Sequence, residues 1–332
     1  MTALEKSGHS TAILNSNNRL CREMHMNLRN PLLILVLIHV LLAGPIQAQD
    51  KRQPVIDMHL HAFTTIDSDQ RFCFPQPCTS PPSKVTDPDQ LRPAALAEME
   101  KYNVVLAVVS GERDEVLSWT EDESEKFVIG QALWRPEDMA FSELKTLLET
   151  GQIQVLGELA FQYEGIPIDD PSVDPLLALA HELDVPVHVH VEGLGGSSDF
   201  PIHLGNPLRV GKVLRKYPGL RIYLENAGWP FLEEVTSLMY QYPSVYGDLS
   251  TLLHLTPRPV AYGYMKGLVD NGLSKRLMFG SDQMIWPEVI GENIEMIEAA
   301  DFLSEEQKRD ILYNNAARFL RLTDEQIEAH HQ

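Results

Sequence analysis

The chain has 332 residues, 47 acidic against 27 basic side chains, and 44% hydrophobic content, which excludes a disordered, collagen-like or disulfide-scaffold protein. Its formal charge of −20 leaves no excess of Lys and Arg to neutralise phosphates, so no nucleic-acid partner is expected.

The N-terminal stretch differs from the rest. Arg22 and Arg29 precede an apolar run from Leu32 to Gly44, interrupted by His39 and followed by Pro-Ile-Gln-Ala-Gln-Asp. That run falls short of the roughly 20 residues a membrane-spanning helix needs. With the small Ala48 behind it, it reads as a secretory signal peptide cut between Ala48 and Gln49. Residues 1–48 are then an N-terminal extension and leader, and 49–332 a single domain, exported and without stable membrane association. Cys73 and Cys78 remain after cleavage, and in an oxidising compartment a pair this close is a disulfide candidate.

From Val55 onward short apolar, β-rich runs alternate with longer segments of helical period. Strands are expected at Val55–His59, Val104–Val109, Val128–Trp134, Val155–Glu158, Val185–Val191, Arg221–Leu224, Val245–Asp248 and Leu277–Gly280. Helical patterns fall at Asp89–Tyr102, Phe141–Thr150, Pro175–Leu183, Pro207–Lys216, Leu232–Gln241, Val260–Asn271, Val289–Ala299 and Glu305–Leu320. Repeated βα units of this number predict an α/β fold, a (β/α)8 TIM barrel, with a doubly wound open sheet as the alternative. No Gly-rich dinucleotide fingerprint follows the first strand, which disfavours the open sheet.

Asp57-Met58-His59-Leu60-His61 comes directly after the apolar start of the first strand, and two-residue alternation puts His59 and His61 on one face, where they can share a metal ion. Glu158, His190 and Asp282 stand at the same end of later strands, where barrel enzymes assemble their sites. Each alone has an ordinary explanation as a salt-bridge partner, core histidine or turn cap. Together they are a ligand set for a divalent ion, zinc first, with manganese or iron as alternatives.

With these residues the sequence resembles the amidohydrolase superfamily, in its amidohydrolase-2-type branch of metal-dependent hydrolases. The resemblance runs from Val55 to Leu322 and rests on Asp57–His61, Gly157–Ala160, the His190 strand, Asn226–Pro230, Phe279–Glu288 and Ile311–Leu320. It implies a distorted barrel with one or two divalent ions per chain, held by His59, His61, Glu158, His190 and Asp282. It also gives Asp282 the catalytic role of accepting a proton from the attacking water. Where the family usually has a sixth-strand histidine, this chain has Asn226, a poor ligand for a borderline ion, which puts a second ion in doubt. The preceding Glu225 reaches the same face only if the strand is bulged there. His188 is expected one layer below His190, in the core or behind a ligand.

Around the mouth Trp134, Arg135, His203, Trp229, His254, Arg258 and Trp286 are candidates to line a pocket for an aromatic or carboxylated small-molecule substrate. The expected reaction is hydrolysis of a lactone, carboxylic ester or amide. The alternatives are nonoxidative decarboxylation of an aromatic or dienoic acid, which the branch also contains, and a catalytically decayed barrel that binds without turnover. The branch is widely bacterial and no lipobox cysteine follows the leader, so a periplasmic location is favoured over an extracellular one. A homo-oligomer is left open.

Overall fold

Strands of a parallel barrel are covered outside by helices and filled inside by side chains, so they read as continuous apolar runs. A computed structural model, describing residues 52–66, 83–193 and 200–332, shows that arrangement. The strands are β1 (Val55–His61), β2 (Val104–Ser110), β3 (Phe127–Leu133), β4 (Val155–Leu159), β5 (Val187–Val189), β6 (Ile222–Leu224), β7 (Val245–Asp248) and β8 (Leu277–Met278). They pair in parallel and in sequence order. β8 returns to β1 through the Met58 N–H donating to the Phe279 carbonyl at 2.9 Å and a bridge between Leu60 and Gln283. The result is a nearly closed (β/α)8 barrel, and the strand order rules out the doubly wound sheet.

Helices α1 (Leu91–Tyr102), α2 (Arg113–Thr120), α3 (Phe141–Glu149), α4 (Asp174–Glu182), α5 (Leu208–Lys216), α6 (Leu232–Gln241), α7 (Ser250–Leu255), α8 (Arg258–Asp270) and α9 (Val289–Glu298) follow the strands. Two of these, α2 and α7, were not anticipated from period. They have only eight and six residues, too short a window for a helical period to stand out. The helix expected over Glu305–Leu320 is α10 (Glu305–Arg309), a π-turn (Asp310–Asn314) and α11 (Asn315–Leu320), with α12 (Asp324–His330) beyond. The π-turn has a cause: the Ile311 carbonyl accepts from Phe279 N–H at 2.8 Å, and Asn315 Nδ2 donates to the Leu277 carbonyl at 2.6 Å. Those bonds bind the segment to β8 and open the helical ladder.

This docking closes the barrel at the N-terminal ends of its strands. Ile56, Met58, Leu106, Val108, Tyr223 and Met278 form one buried cluster with Tyr313, Ala316, Ala317 and Phe319 of the C-terminal segment. Tyr223 meets Phe319 edge-on at 5.4 Å on one side and stacks on His188 at 4.1 Å on the other, so the plug supports the floor of the site. The expected leader over residues 1–48 and the Cys73 and Cys78 pair lie outside the described residues. No described helix is long and apolar enough to cross a membrane.

Candidate metal centre

β1 is not a regular strand. Asp57 pairs with Ala107 but Leu60 with Val109, so β1 carries one residue more than β2 over the same rise. This bulge lets Met58 face the inner apolar cluster while His59 and His61 line the mouth above it. Asp57 holds it in place, accepting from the His59 N–H at 3.0 Å and the Ser281 N–H at 2.8 Å. Burial raises the Asp57 carboxyl to about 6.

Three ligand atoms converge above the bulge. His59 Nε2 lies 3.2 Å from His61 Nε2 and 3.4 Å from Asp282 Oδ1, and His61 Nε2 lies 2.9 Å from that oxygen. Ligands about 2.1 Å from one ion at roughly 90–110° to each other stand about 3.0–3.4 Å apart, so the triangle fits a single divalent cation. Asp282 Oδ1 is buried and has no hydrogen-bond donor among the described residues, the state of a lone pair arranged for an ion. Asp282 sits at φ 48°, a left-handed conformation beyond β8 that turns its carboxylate inward. Gly280 leaves room for His59 and Asp248, because a Cβ there would lie 2.9 Å from His59 Cβ and 3.1 Å from Asp248 Cβ.

Glu158 brings its Oε2 to 3.6 Å from His61 Nε2 and 3.9 Å from His59 Nε2. Its placement depends on Gly157, at φ 139°, where a Cβ would come within 2.4 Å of the His188 carbonyl oxygen. Behind the triangle His59 Nδ1 meets Ser250 Oγ at 2.9 Å, and Ser250 in turn donates to Asp248. With the Ser250 hydroxyl donating to Asp248, Nδ1 is the donor to Ser250 Oγ, which leaves Nε2 as the atom that would bind an ion. Asp248 also reaches His188 Nε2 at 3.2 Å, so His188 is a supporting residue as its strand position implied. Asp248, Ser250 and Asp57 were not picked out as site residues from sequence. For Asp248 the signal was present, since it closes β7 as Glu158 closes β4.

Burial works against every charge here, and the groups settle by partner. It opposes a charged His59, yet Asp282, Asp248 and Glu158 raise that ring to about 10. It likewise opposes ionised Asp282, which His59 and His61 nevertheless hold well below the ordinary range. Asp57, Glu158, Glu192, Glu225, Asp248 and Asp282 are all buried, and among the described residues none is paired with Lys or Arg. Besides neutral donors such as the Ser281 N–H, Ser250 and Asn226, the charged partners of these carboxylates among the described residues are histidines, a donor set that suits a divalent cation.

His190 belongs to a neighbouring group. Its Nε2 lies 3.3 Å from Glu192 Oε1, 3.5 Å from Glu225 Oε1 and 3.9 Å from Glu158 Oε1. Glu225 reaches the interior because β6 ends at Leu224 and Asn226 and Ala227 take φ of 51° and 45°, a tight left-handed turn that overrides alternation. Asn226 is engaged in the scaffold: its Oδ1 accepts from Thr251 Oγ1 at 2.8 Å and Leu252 N–H at 2.7 Å, and its Nδ2 donates to Glu192 at 2.5 Å. Tyr163, missed from sequence, places its hydroxyl 3.2 Å from His190 Nε2 while the residue remains 43% exposed.

The outer candidates divide. Asn293 Nδ2 meets His254 Nδ1 at 3.0 Å, and burial lowers the ring to about 4. Trp229 packs on the main core, and Trp286 in a satellite cluster with Met284 and Val289. Arg258 is exposed at the start of α8, its guanidinium 5.9 Å over Tyr262, and Arg135 pairs with Glu164. His203 is exposed. These contacts hold both arginines to surface partners and not to the ligand cluster, and give no support to carboxylate recognition by Arg.

Residues 56–322 match the family profile described as Amidohydrolase. The chain belongs to the amidohydrolase family. A curated relative, Protein fluG of Emericella nidulans, is 23% identical over 182 residues, covering 49% of this chain and 21% of its own length. The chain thus spans about a fifth of that relative. Among solved structures, a probable 2-pyrone-4,6-dicarboxylic acid hydrolase from Acinetobacter baumannii with citric acid bound aligns at TM-score 0.58 and 15% identity, over 81% of this chain and 100% of that one. A dihydroxybenzoic acid decarboxylase from Polaromonas sp. JS666, with bound manganese and 2-nitroresorcinol, aligns at TM-score 0.58 and 15% identity, over 83% and 99%. These likenesses show the shared barrel, and the neighbours include both hydrolases and decarboxylases.

Proposed function

We propose that this amidohydrolase-family chain is a metal-dependent hydrolase that adds water to the carbonyl of a lactone, carboxylic ester or amide. The observation that carries the reading is the convergence of His59 Nε2, His61 Nε2 and Asp282 Oδ1 on one point at the strand ends, with Glu158 Oε2 beside it. These residues would hold a divalent ion, which when bound would lower the pKa of water to about 7 and polarise an electrophile. Asp282, kept ionised by the two histidines, is the proton acceptor for the attacking water. Ser250 and Asp248 hold the His59 ring in one tautomer throughout. With Asn293 donating to Nδ1, His254 carries its proton on Nε2, which has no partner among the described residues and is a donor for a substrate oxygen.

The test is a screen of the metal-reconstituted protein against lactones, esters and amides in H₂¹⁸O. Label incorporated into the product, lost with chelation and reduced about 10²–10⁴-fold in Asp282→Asn, is the expected result. Carbon dioxide release from an aromatic acid without label in the product would assign the chain to the decarboxylases instead. Retained activity after verified metal removal would overturn the reading, and ion binding without turnover on any panel would favour a binding protein.

A further inference from the structure

We propose that Tyr163 binds substrate directly, its ring walling the mouth and its hydroxyl donating to an uncharged oxygen of an ester, lactone or amide, so that the site takes neutral substrates in preference to carboxylated ones. The proposal rests on the hydrolase reading and names the kind of substrate which that reading leaves open.

Tyr163 is set apart by how its turn is built. It lies in the short helical turn Phe161–Glu164 after β4, whose other three side chains are engaged: Phe161 in the main core, Gln162 against His190 Nδ1, and Glu164 with Arg135. The turn closes on Gly165 at φ 75°, whose N–H donates to the Gln162 carbonyl at 3.0 Å. Tyr163 remains 43% exposed, with its ring centre 4.9 Å from that of Phe200 and 4.8 Å from that of His190. A ring open to solvent whose hydroxyl ends beside a buried polar cluster is placed to cover a bound molecule.

The hydroxyl has a proton to give. A phenol is protonated near neutrality, and burial and the Glu192 and Glu225 carboxylates push this one higher, so it acts as a donor and not as a base. Its 3.2 Å contact with His190 Nε2 is long for a hydroxyl donor, and that nitrogen already faces Glu192 Oε1 at 3.3 Å and Glu225 Oε1 at 3.5 Å. A nearer substrate oxygen would take the proton. Asn226, standing where the family usually has a histidine, spends its amide on Glu192, Thr251 and Leu252. Tyr163 from the β4 side and His254 from the β7 side are neutral donors that can serve a substrate in its place.

Charge decides which oxygen. Glu158, Glu192, Glu225 and Asp282 are buried at the strand ends, and these four carboxylates outnumber the two charges of one divalent ion. Rim cations are held elsewhere: Arg135 by Glu164, Lys84 by Glu288, and Arg258 over Tyr262. Repulsion disfavours a substrate carboxylate here, whereas a phenol suits an uncharged carbonyl.

The experiment gives the zinc-loaded full chain phenyl acetate and 4-acetoxybenzoate, the same ester without and with a carboxylate. A kcat/KM about 10-fold or more higher for phenyl acetate is expected, with a fall of about 10–100-fold on that ester in Tyr163→Phe at unchanged zinc content and Tm. Unchanged kcat/KM in Tyr163→Phe, or a preference for 4-acetoxybenzoate, would overturn the proposal and leave the hydrolase reading intact. A fall accompanied by lost zinc would also overturn it, because Tyr163 would then serve His190 and not the substrate. If neither ester is hydrolysed, the hydrolase reading fails on these probes, and benzamide titrated calorimetrically into the same zinc-loaded chains decides for Tyr163. Binding about 3–10-fold weaker in Tyr163→Phe supports the contact, and equal affinity or no binding to the wild type overturns it.

Discussion

Loading the His59, His61 and Asp282 triangle should stabilise the fold by an amount fixed by mass action. At a free ion concentration one hundred times the dissociation constant, binding to the folded chain alone contributes about 2.7 kcal/mol. The folded unit runs from Arg52 to Gln332. At about 2.1 cal/mol/K per residue its unfolding entropy is about 0.6 kcal/mol/K, so Tm should rise by about 4–5 °C. His61→Ala is the control of choice. It removes one corner of the triangle, and in the free protein the ring is a mouth residue stacked on Phe63 at 5.2 Å rather than part of the inner plug. Scanning calorimetry of chelator-stripped protein, with and without zinc or manganese at that multiple of the measured dissociation constant, reads the shift. The variant at the same ion concentration should lose most of it. An unchanged wild-type Tm, or the same rise in His61→Ala, would refute the assignment of these three atoms as ligands.

Other consequences concern the supports. Asp248→Asn should weaken ion binding about 10–100-fold while the barrel stays folded, because it disturbs the Ser250 relay behind His59; titration calorimetry reads this, and unchanged affinity counts against the relay. Gly280→Ala should weaken ion binding as well, since its methyl would crowd His59 and Asp248, with Gly263→Ala, where nothing lies within 4 Å, as the neutral comparison. Burial holds folded His254 near 4, against about 6.5 in the unfolded chain, so the unfolded state takes up a proton first as the pH falls. Wild-type stability should therefore decline from pH 6.5 toward 4 by up to about 3 kcal/mol more than that of His254→Asn, and equal declines in chemical denaturation would refute it. The raised Asp57 carboxyl acts in the opposite sense, losing its contribution as the pH rises through about 6, and cancels in that comparison because both chains carry it.

The barrel was legible because its strands are apolar on both faces and recur at βα spacing, a signal that survives one- or two-residue errors at each end. The candidate ligand set was legible by position, since His59, His61, Glu158, His190 and Asp282 lie at or just beyond the strand ends on one side of the sheet. Hidden from the sequence were the places where the backbone leaves regular geometry. The extra residue in β1 resets the two-residue alternation, so that Met58 and His59 both serve the interior, one below the site and one in it. At Asn226 and Ala227 the left-handed turn reverses which of two neighbours serves the site, and at Asp282 a third left-handed residue aims the carboxylate. Conformations of this kind cost energy and persist only where the surroundings hold them. Here the holding groups are visible: Asp57 for the β1 bulge, and Thr251, Leu252 and Glu192 for Asn226. The departures from regular structure and the candidate ion positions therefore coincide, because the β1 bulge and the left-handed turns decide which residue at each strand end faces the interior.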